Sequence, residues 1–197
     1  MRLKITNLNK NFGEKCIFKG FSYSFDNRGI YGLRGESGVG KTTLLRIIAG
    51  LDKDYTGEVV GGGIGRVSVA FQEYRLFPGL TALDNIVFAI SDGKDRAVFE
   101  KAKETLFTLG FSEADMSLYP EELSGGMKQR VSLARAFLAD FPILLLDEPI
   151  KELDSVNAQA VREMIKTLSE EKLVILVSHN DEDLRLLSAT DILITKC

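Results

Sequence analysis

The sequence predicts an α/β fold with a central parallel β-sheet. Four short apolar runs alternate along the chain with segments of helical periodicity, a pattern typical of parallel strands that are buried on both faces. The chain has 197 residues, of which 45% are apolar, so it is long enough to bury one large core. No apolar run approaches the ~20 residues that a membrane-spanning helix needs. We therefore expect a soluble globular domain, and any crossing of a membrane would belong to a partner.

Each of the four apolar runs is followed by a residue of chemical interest. The runs cover residues 30–33, 67–71, 143–146 and 173–177, and the residues that follow them are Gly35, Gln72, Asp147 and His179. Because the carboxyl ends of parallel strands meet at one edge of a sheet, we expect these residues to converge on one site. A strand cap explains any one of them, but it is a poor explanation for all four.

Helical periodicity fills three of the intervening segments. Apolar residues at helical spacing predict helices over residues 43–49, 96–109 and 156–168. Gly50 and Gly110 follow the first two segments, and glycine is favoured just past a helix end. Asp154 and Ser155 precede the third segment and are expected to cap it. The apolar faces of these helices are expected to lie in the core.

A glycine-rich run at residues 61–65 predicts a hairpin turn between residues 58–60 and 66–69. It is not expected to bind nucleotide, because no Lys-Ser or Lys-Thr pair follows it. Residues 91–94 predict an ordinary surface turn.

Charge, targeting signals and cysteine spacing indicate which partners and which cell compartment to expect. The formal net charge of -3 comes from 28 acidic and 25 basic residues that are mixed along the chain, which argues against a dedicated nucleic-acid binder. Residues 1–7 show no secretory signal, so we expect the chain to stay in the cytosol. Cys16 and Cys197 form no CxxC pair, and we expect both to be reduced thiols with a structural role or none.

The segment 35–42 matches the complete pattern GxxxxGK[ST] and lies between a predicted strand and a predicted helix. In such a loop, backbone N–H groups wrap phosphates, Lys41 directs its charge toward the β- and γ-phosphates, and the Thr42 hydroxyl is a ligand of Mg²⁺. A glycine turn without a ligand is a poor explanation for the complete pattern. The residues expected to bind nucleotide here are Gly35, Glu36, Ser37, Gly38, Val39, Gly40, Lys41, Thr42 and Thr43.

Two carboxylates follow the apolar run 143–146. Asp147 is expected to hold Mg²⁺ through water, and Glu148 is expected to polarise an attacking water. The alternative is an acidic helix cap after the strand, which Pro149 would permit.

His179 is the one histidine of the chain, so a histidine metal cluster is not expected. A lone histidine is usually structural, but the position of His179 just after a strand favours contact with phosphate.

A second glycine-rich helix start follows the phosphate loop. Ser124, Gly125 and Gly126 precede a helix whose apolar stripe begins at Met127, and the small residues leave backbone N–H groups open to an anion. A simple helix cap is the alternative. The run LSGGMKQR, at residues 123–130, makes that alternative a poor one.

In this order, these motifs resemble the ATPase subunits of ABC transporters over essentially the whole chain. The resemblance implies a P-loop NTPase core with a parallel sheet, a small N-terminal antiparallel β region and an inserted helical subdomain at roughly residues 74–138 of one domain spanning 1–197. By motif match it also implies that Phe12 stacks on adenine, Gln72 senses Mg²⁺ and water, and His179 contacts the γ-phosphate. Asp154 would be an aspartate at the dimer contact. Phe12 replaces the commoner tyrosine, and Lys151 and Glu152 stand where small residues are usual.

In that family, two ATP molecules lie between two subunits, so that the phosphate loop of one faces the LSGG segment of the other. The resemblance therefore implies an ATP-hydrolysing motor subunit that pairs with a second copy or a paralogue and drives separate membrane permease subunits. Residues 71–86 look like importer subunits of the nitrate, sulfonate and taurine type, with an extracytoplasmic substrate-binding protein in the full system. Residues 74–80 are expected to touch a permease helix.

The implied location is cytoplasmic, on the inner face of the membrane, with no nucleic-acid partner. Two alternatives stay open. One is a soluble ABC ATPase of cofactor assembly or another process without transport. The other is a nucleotide-dependent binding switch that hardly hydrolyses ATP, although an intact Glu148 and His179 argue against it.

Overall fold

A computed structural model describes residues 2–91 and 95–197, and within them the chain forms eight strands and seven α-helices. Residues 92–94 of the expected turn at 91–94 lie outside the described residues. The strands are β1 (Lys4–Phe12), β2 (Lys15–Ser24), β3 (Gly29–Arg34), β4 (Thr56–Val60), β5 (Val67–Ala70), β6 (Ile143–Asp147), β7 (Leu173–Val177) and β8 (Thr190–Leu193). The helices are α1 (Lys41–Ile48), α2 (Ala82–Ser91), α3 (Arg96–Thr108), α4 (Glu113–Met116), α5 (Gly125–Leu138), α6 (Ser155–Ser169) and α7 (Asp181–Leu186).

A five-stranded sheet with the order β5-β6-β7-β3-β8 carries the predicted parallel strands. Strand β7 pairs in parallel with both β6 and β3, and β3 pairs in parallel with β8. Every residue of β6 and β7 is buried, which explains their continuous apolar sequence. Because β7 lies between β6 and β3, the carboxyl ends of these three strands are neighbours. The α/β prediction with a parallel sheet is confirmed.

A second, antiparallel sheet has the order β2-β1-β4. The expected hairpin around residues 61–65 is wrong, because β4 pairs with β1 in this sheet whereas β5 lies beside β6 in the other. The glycine-rich segment therefore connects two sheets. It packs against the end of α1, where the backbone N–H of Gly63 donates to the Ile48 carbonyl at 2.8 Å.

The expectation of two reduced thiols is also wrong, because Cys16 and Cys197 are joined by a disulfide with a Cα to Cα distance of 5.9 Å. The 181 residues between them hide this proximity in the sequence. It arises because the chain beyond β8 continues alongside β3 and toward β2. The Ile194 N–H donates to the Arg34 carbonyl at 2.8 Å, and Lys196 forms an ion pair with Glu36.

Contacts between residues divide the chain into two compact units. The first unit comprises Met1–Val69, Phe141–Glu148 and Ile165–Cys197, and the second comprises Ala70–Asp140 and Pro149–Met164. The first unit holds both sheets except for the last residue of β5. The second unit holds helices α2 to α5, of which α2, α3 and α5 pack on one another. Among the described residues, no helix combines the length and the apolar character that crossing a bilayer requires.

Two buried polar side chains organise the second unit. Asn85 of α2 is fully buried, and its amide oxygen accepts from the Phe77 N–H at 2.7 Å. Its amide nitrogen donates to the carbonyls of Phe77, Leu80 and Thr81. Asn85 thereby fixes the segment that precedes α2, because each of these backbone groups would otherwise need another partner.

Arg130 is the second organising side chain, and it lies in α5 with 9% of its surface exposed. One guanidinium nitrogen donates to the Leu109 carbonyl at 2.6 Å and to Asn157 Oδ1 at 2.7 Å. Its Nε donates to the Gly126 carbonyl at 3.2 Å. Arg130 therefore connects the end of α3, the start of α5 and helix α6.

Candidate nucleotide site

The phosphate loop, defined as residues 35–40, connects β3 to α1 in the first unit. The Lys41 side chain folds back over the loop, where its ammonium donates to the Gly35 carbonyl at 2.7 Å and to the Glu36 carbonyl at 3.0 Å. Lys41 is buried, with 5% of its surface exposed, whereas Glu36, Ser37 and Gly38 are exposed. The loop thus presents backbone to solvent with a cation at its base, which suits a polyphosphate anion.

Two glycines of this loop are required by its surroundings. Gly35 has φ +147°, and a Cβ there would lie 2.4 Å from the carbonyl oxygen of Ile194. Gly40 has φ +115°, and a Cβ there would lie 2.5 Å from Cγ2 of Ile17. Both angles fall in the region that favours glycine. The loop is therefore pressed between β2 and the segment after β8, and a side chain at either position would displace its backbone.

Thr42 and Asp147 bring two hard oxygen donors together at the start of α1. The Thr42 hydroxyl donates to Asp147 Oδ2 at 2.8 Å, and Asp147 is 6% exposed at the end of β6. Mg²⁺ prefers oxygen ligands and is usually held by one or two carboxylates together with phosphates and waters of the substrate complex. The residues present fit Mg²⁺.

Glu148 and His179 form a second pair at the same edge of the sheet. Glu148 Oε1 lies 3.2 Å from His179 Nε2, and Glu148 Oε2 accepts from the His179 backbone N–H at 3.4 Å. The Glu148 backbone has φ +56°, and its N–H donates to the Val177 carbonyl at 3.0 Å. A positive φ is costly for glutamate and is typical of functional sites. It turns a carboxylate that is only 7% exposed toward a half-exposed imidazole.

Phe12 ends β1 and is 53% exposed, so its ring is open to a planar ligand. The ammonium of Lys10 lies 4.6 Å from the ring centroid. It also donates to Asp52 Oδ1 at 3.0 Å and to the Asp54 carbonyl at 2.6 Å. Burial lowers the pKa of Lys10, but these hydrogen bonds and the charges of Asp52 and Asp54 outweigh it, so that the pKa is raised.

The remaining predicted site residues belong to the second unit. The Ser124 hydroxyl accepts from the Met127 N–H at 3.2 Å and caps α5, whose first residues are Gly125 and Gly126. Asp154 caps α6 as expected, because its Oδ1 accepts from the backbone N–H of Val156 and of Asn157, each at 3.0 Å.

Hydrogen bonds from the backbone and the side chain of Asn157 lower the pKa of the Asp154 carboxyl.

Gln72 is exposed and lies two residues after β5. Within the first unit, the structure therefore brings Lys41, Thr42, Asp147, Glu148 and His179 together around the ends of β3, β6 and β7, whereas Phe12 ends β1 in the other sheet.

Sequence reasoning missed two further contacts. One is the Lys10 ammonium beside Phe12, because a lysine within an antiparallel strand carries no signal that distinguishes it from solvent-facing neighbours. The other is a hydrogen bond from Tyr74 to Glu152 beside the start of α5. Glu152 stood out only as a departure from the family pattern.

The fold and the site define an ATPase cassette: a phosphate loop, an acidic strand end and a second glycine-rich helix start on an α/β core. The chain belongs to the ABC transporter family, whose model matches residues 18–151.

Among its relatives is the aliphatic sulfonates import ATP-binding protein SsuB of Bacillus licheniformis, which is 39% identical over all of this chain and 81% of that protein. SsuB of Bacillus cereus is 37% identical over 93% of this chain and 77% of its own length. The Fe(3+) ions import ATP-binding protein FbpC of Rhizobium etli is 37% identical, over 90% of this chain and 54% of that protein.

Solved ABC cassettes have the same fold. The ATP-binding cassette MJ0796, in a dimeric post-hydrolysis state bound to ADP and Pi, superposes with a TM-score of 0.84 and 28% identity. The match covers 98% of this chain and 94% of that one. A dimeric structure of the same cassette superposes with a TM-score of 0.83 and 30% identity.

Proposed function

We propose that this chain is the ATP-hydrolysing subunit of a membrane importer and that it acts on Mg²⁺-bound ATP held between two copies, or between this chain and a paralogue. The observation that carries the proposal is the paired arrangement at one sheet edge, where Thr42 bonds Asp147 and Glu148 faces His179. Two hard oxygen donors beside a phosphate loop, with a buried carboxylate next to them, suit hydrolysis better than binding alone.

Each binding residue has a physical role in this proposal. The backbone N–H groups of residues 35–40 and of the start of α1 hold the β- and γ-phosphates. When ATP binds, the Lys41 ammonium donates to phosphate oxygens in place of the loop carbonyls. Phe12 stacks on the adenine, and the residues expected around the phosphates include Glu36, Ser37, Val39 and Thr43. Thr42 and Asp147 would hold Mg²⁺, with Gln72 as a further ligand, and the ion would offset negative charge on the phosphates.

In the proposed hydrolysis, Glu148 accepts a proton from a water molecule while the water oxygen attacks the γ-phosphorus. The bond from that phosphorus to the bridging oxygen breaks, and ADP and phosphate are released. His179 positions the Glu148 carboxylate and contacts the γ-phosphate. Burial of Glu148 keeps its carboxylate from being fully hydrated, which favours its use as a base.

The second copy supplies Ser124, Gly125 and Gly126, whose helix start contacts the γ-phosphate, and Asp154 lies at the contact between copies. The dimeric state of the MJ0796 cassette supports this arrangement. Binding of ATP closes the pair and hydrolysis reopens it.

The partners proposed are membrane permease subunits, with an extracytoplasmic substrate-binding protein in the complete system. This places the chain on the cytoplasmic face of the membrane. The names of the SsuB and FbpC relatives support import, although they differ in cargo. The segment 74–80 is proposed to contact the permease, and it carries the half-exposed Phe77, whose ring packs on Phe88 at a centroid distance of 5.5 Å.

A Glu148→Gln variant tests the catalytic assignment. The amide cannot accept the proton of the attacking water, so ATP turnover should fall by about 10²- to 10⁴-fold while ATP binding persists. Glu170→Gln, which removes an exposed carboxylate of the same unit, is the matched control and should retain turnover. Turnover by Glu148→Gln equal to that of the control would remove Glu148 from its proposed role.

Capture from detergent extracts tests the partner assignment. The chain carrying a photocrosslinker at Phe77 should capture an integral membrane protein, whereas a crosslinker at the exposed Glu104 of α3 should not. Capture of soluble proteins alone would support the alternative of a soluble ABC ATPase in cofactor assembly.

A further inference from the structure

Glu152 lies against the helix start that the proposed function assigns to nucleotide. A Cβ on Gly125 would lie 3.1 Å from Glu152 Oε2 and 3.6 Å from the Tyr74 hydroxyl. A Cβ on Gly126 would lie 3.1 Å from the backbone carbonyl oxygen of Glu152. Both glycines therefore leave room for Glu152, and its carboxylate sits beside the first turn of α5. All of these residues belong to the second unit.

Tyr74 holds the carboxylate in that place. Its hydroxyl donates to Glu152 Oε2. The backbone carbonyls of Tyr74 and Arg75 accept from the Arg135 guanidinium of α5, at 3.1 Å and 3.0 Å. Burial, followed by the hydrogen bond to Glu152 and its charge, raises the pKa of Tyr74 to about 12. The phenol therefore stays a hydrogen-bond donor at neutral pH, and Tyr74 is attached to α5 through its backbone as well.

The charge of Glu152 acts on the potential at the start of α5. The first turn of a helix carries partial positive charge and attracts anions. A carboxylate beside that turn offsets this potential and repels a second anion that approaches the same N–H groups. The triphosphate of a facing copy is such an anion.

We propose that Glu152 is a positioning residue that opposes closure, because its carboxylate, held by Tyr74, competes with the triphosphate for the start of α5. Closure then requires this carboxylate to turn away. The inference rests on the proposed two-copy arrangement. Tyr74 belongs to the segment proposed to contact the permease, so a permease that shifts Tyr74 would release Glu152 and favour closure.

The test measures ATP-driven association of the full chain in the Glu148→Gln background, by light scattering after size-exclusion chromatography over a range of ATP concentrations. Adding Glu152→Gln keeps an oxygen that accepts from Tyr74 but removes the charge. The ATP concentration for half-maximal association should fall by about three- to tenfold. This decrease should shrink at high salt, because the effect is electrostatic.

Two further variants separate charge from packing. Tyr74→Phe frees the carboxylate to move away, so it should also lower the required ATP concentration. Combined with Glu152→Gln it should add nothing, because both changes act on one contact. Glu104→Gln removes a negative charge from the exposed face of α3 in the same unit and should leave the ATP concentration unchanged.

The outcomes separate the two proposals. If the Glu148→Gln chain associates with ATP and Glu152→Gln leaves the required concentration unchanged or raises it, the inference about Glu152 is wrong and the proposed function stands. If the Glu148→Gln chain associates at no ATP concentration, the two-copy arrangement fails and the inference fails with it.

Discussion

Replacing Arg130 by methionine should lower the free energy of unfolding by about 3 kcal/mol. The guanidinium donates to the Leu109 carbonyl, to Asn157 and to the Gly126 carbonyl, and it lies 5.0 Å from the centroid of the Phe111 ring. Methionine fills a similar length but leaves the buried Leu109 carbonyl without this donor. A lost hydrogen bond from a charged donor costs about 1.5–3 kcal/mol.

The net loss of stability in Arg130→Met is smaller than the sum of the lost hydrogen bonds, because burying the Arg130 cation is itself unfavourable. Burial lowers the pKa of Arg130, with opposing contributions from Asp154 and Asp115, which shows that the site penalises the charge. For a chain of this size, 1 kcal/mol corresponds to about 2–4 °C in the midpoint of thermal unfolding. The expected decrease is therefore about 6–12 °C.

Thermal unfolding followed by circular dichroism at 222 nm measures this change, because Arg130 connects α3, α5 and α6, whose unfolding reduces the helical signal. Arg96→Met is the matched control, since it removes the same side chain from an exposed position at the start of α3. We expect the control to stay within about 0.5 kcal/mol of the original chain. A midpoint for Arg130→Met equal to that of the control would refute the reasoning.

Three further predictions concern stability. Asn85→Ala should cost about 2–4 kcal/mol in urea unfolding, because it removes the partner of four backbone contacts inside the second unit. Lys10→Met should cost about 2 kcal/mol at neutral pH, because it leaves Asp52 without its cation. Because the pKa of Lys10 is raised on folding, its contribution to the free energy of unfolding is fully present below pH 10.5, the ordinary pKa of lysine. That contribution is lost as the pH rises through the folded-state pKa. The destabilisation by Lys10→Met should therefore shrink when urea unfolding is measured at alkaline pH. Reduction of the Cys16 to Cys197 disulfide should lower the thermal midpoint, since the bond closes a long loop and restricts the unfolded chain.

Each of these predictions has an outcome that contradicts it. Equal urea midpoints for Asn85→Ala and the original chain would mean that water replaces the amide without cost. A cost for Lys10→Met that grows with pH would reverse the sign of the proposed linkage. For the disulfide, equal thermal midpoints before and after reduction would contradict the prediction. The paired Cys16→Ser and Cys197→Ser variant is the control, and a reducing agent should leave its midpoint unchanged.

Residues that are neighbours along the chain were predicted well. The strand and the helix on either side of residues 35–40, the acidic end of β6 and the cap of α6 each depend on a few consecutive residues, because backbone conformation and capping are local. Asp154, for example, could be assigned as a cap from its position before a periodic segment. The hairpin expected around residues 61–65 was wrong because strand pairing depends on the whole sheet and not on the connecting turn. Strand β4 pairs with β1, and β5 lies beside β6.

The sequence by itself therefore determined the order and the chemistry of the motifs, and these were enough to predict the family. Only the tertiary structure decided which other distant residues meet: Cys16 with Cys197, Lys10 with Asp52, and Glu152 with Tyr74 and the start of α5. These contacts depend on strand order and on helix packing across long stretches of chain. No local pattern encodes them, because their free energy comes from burial and pairing that exist only after the chain has folded.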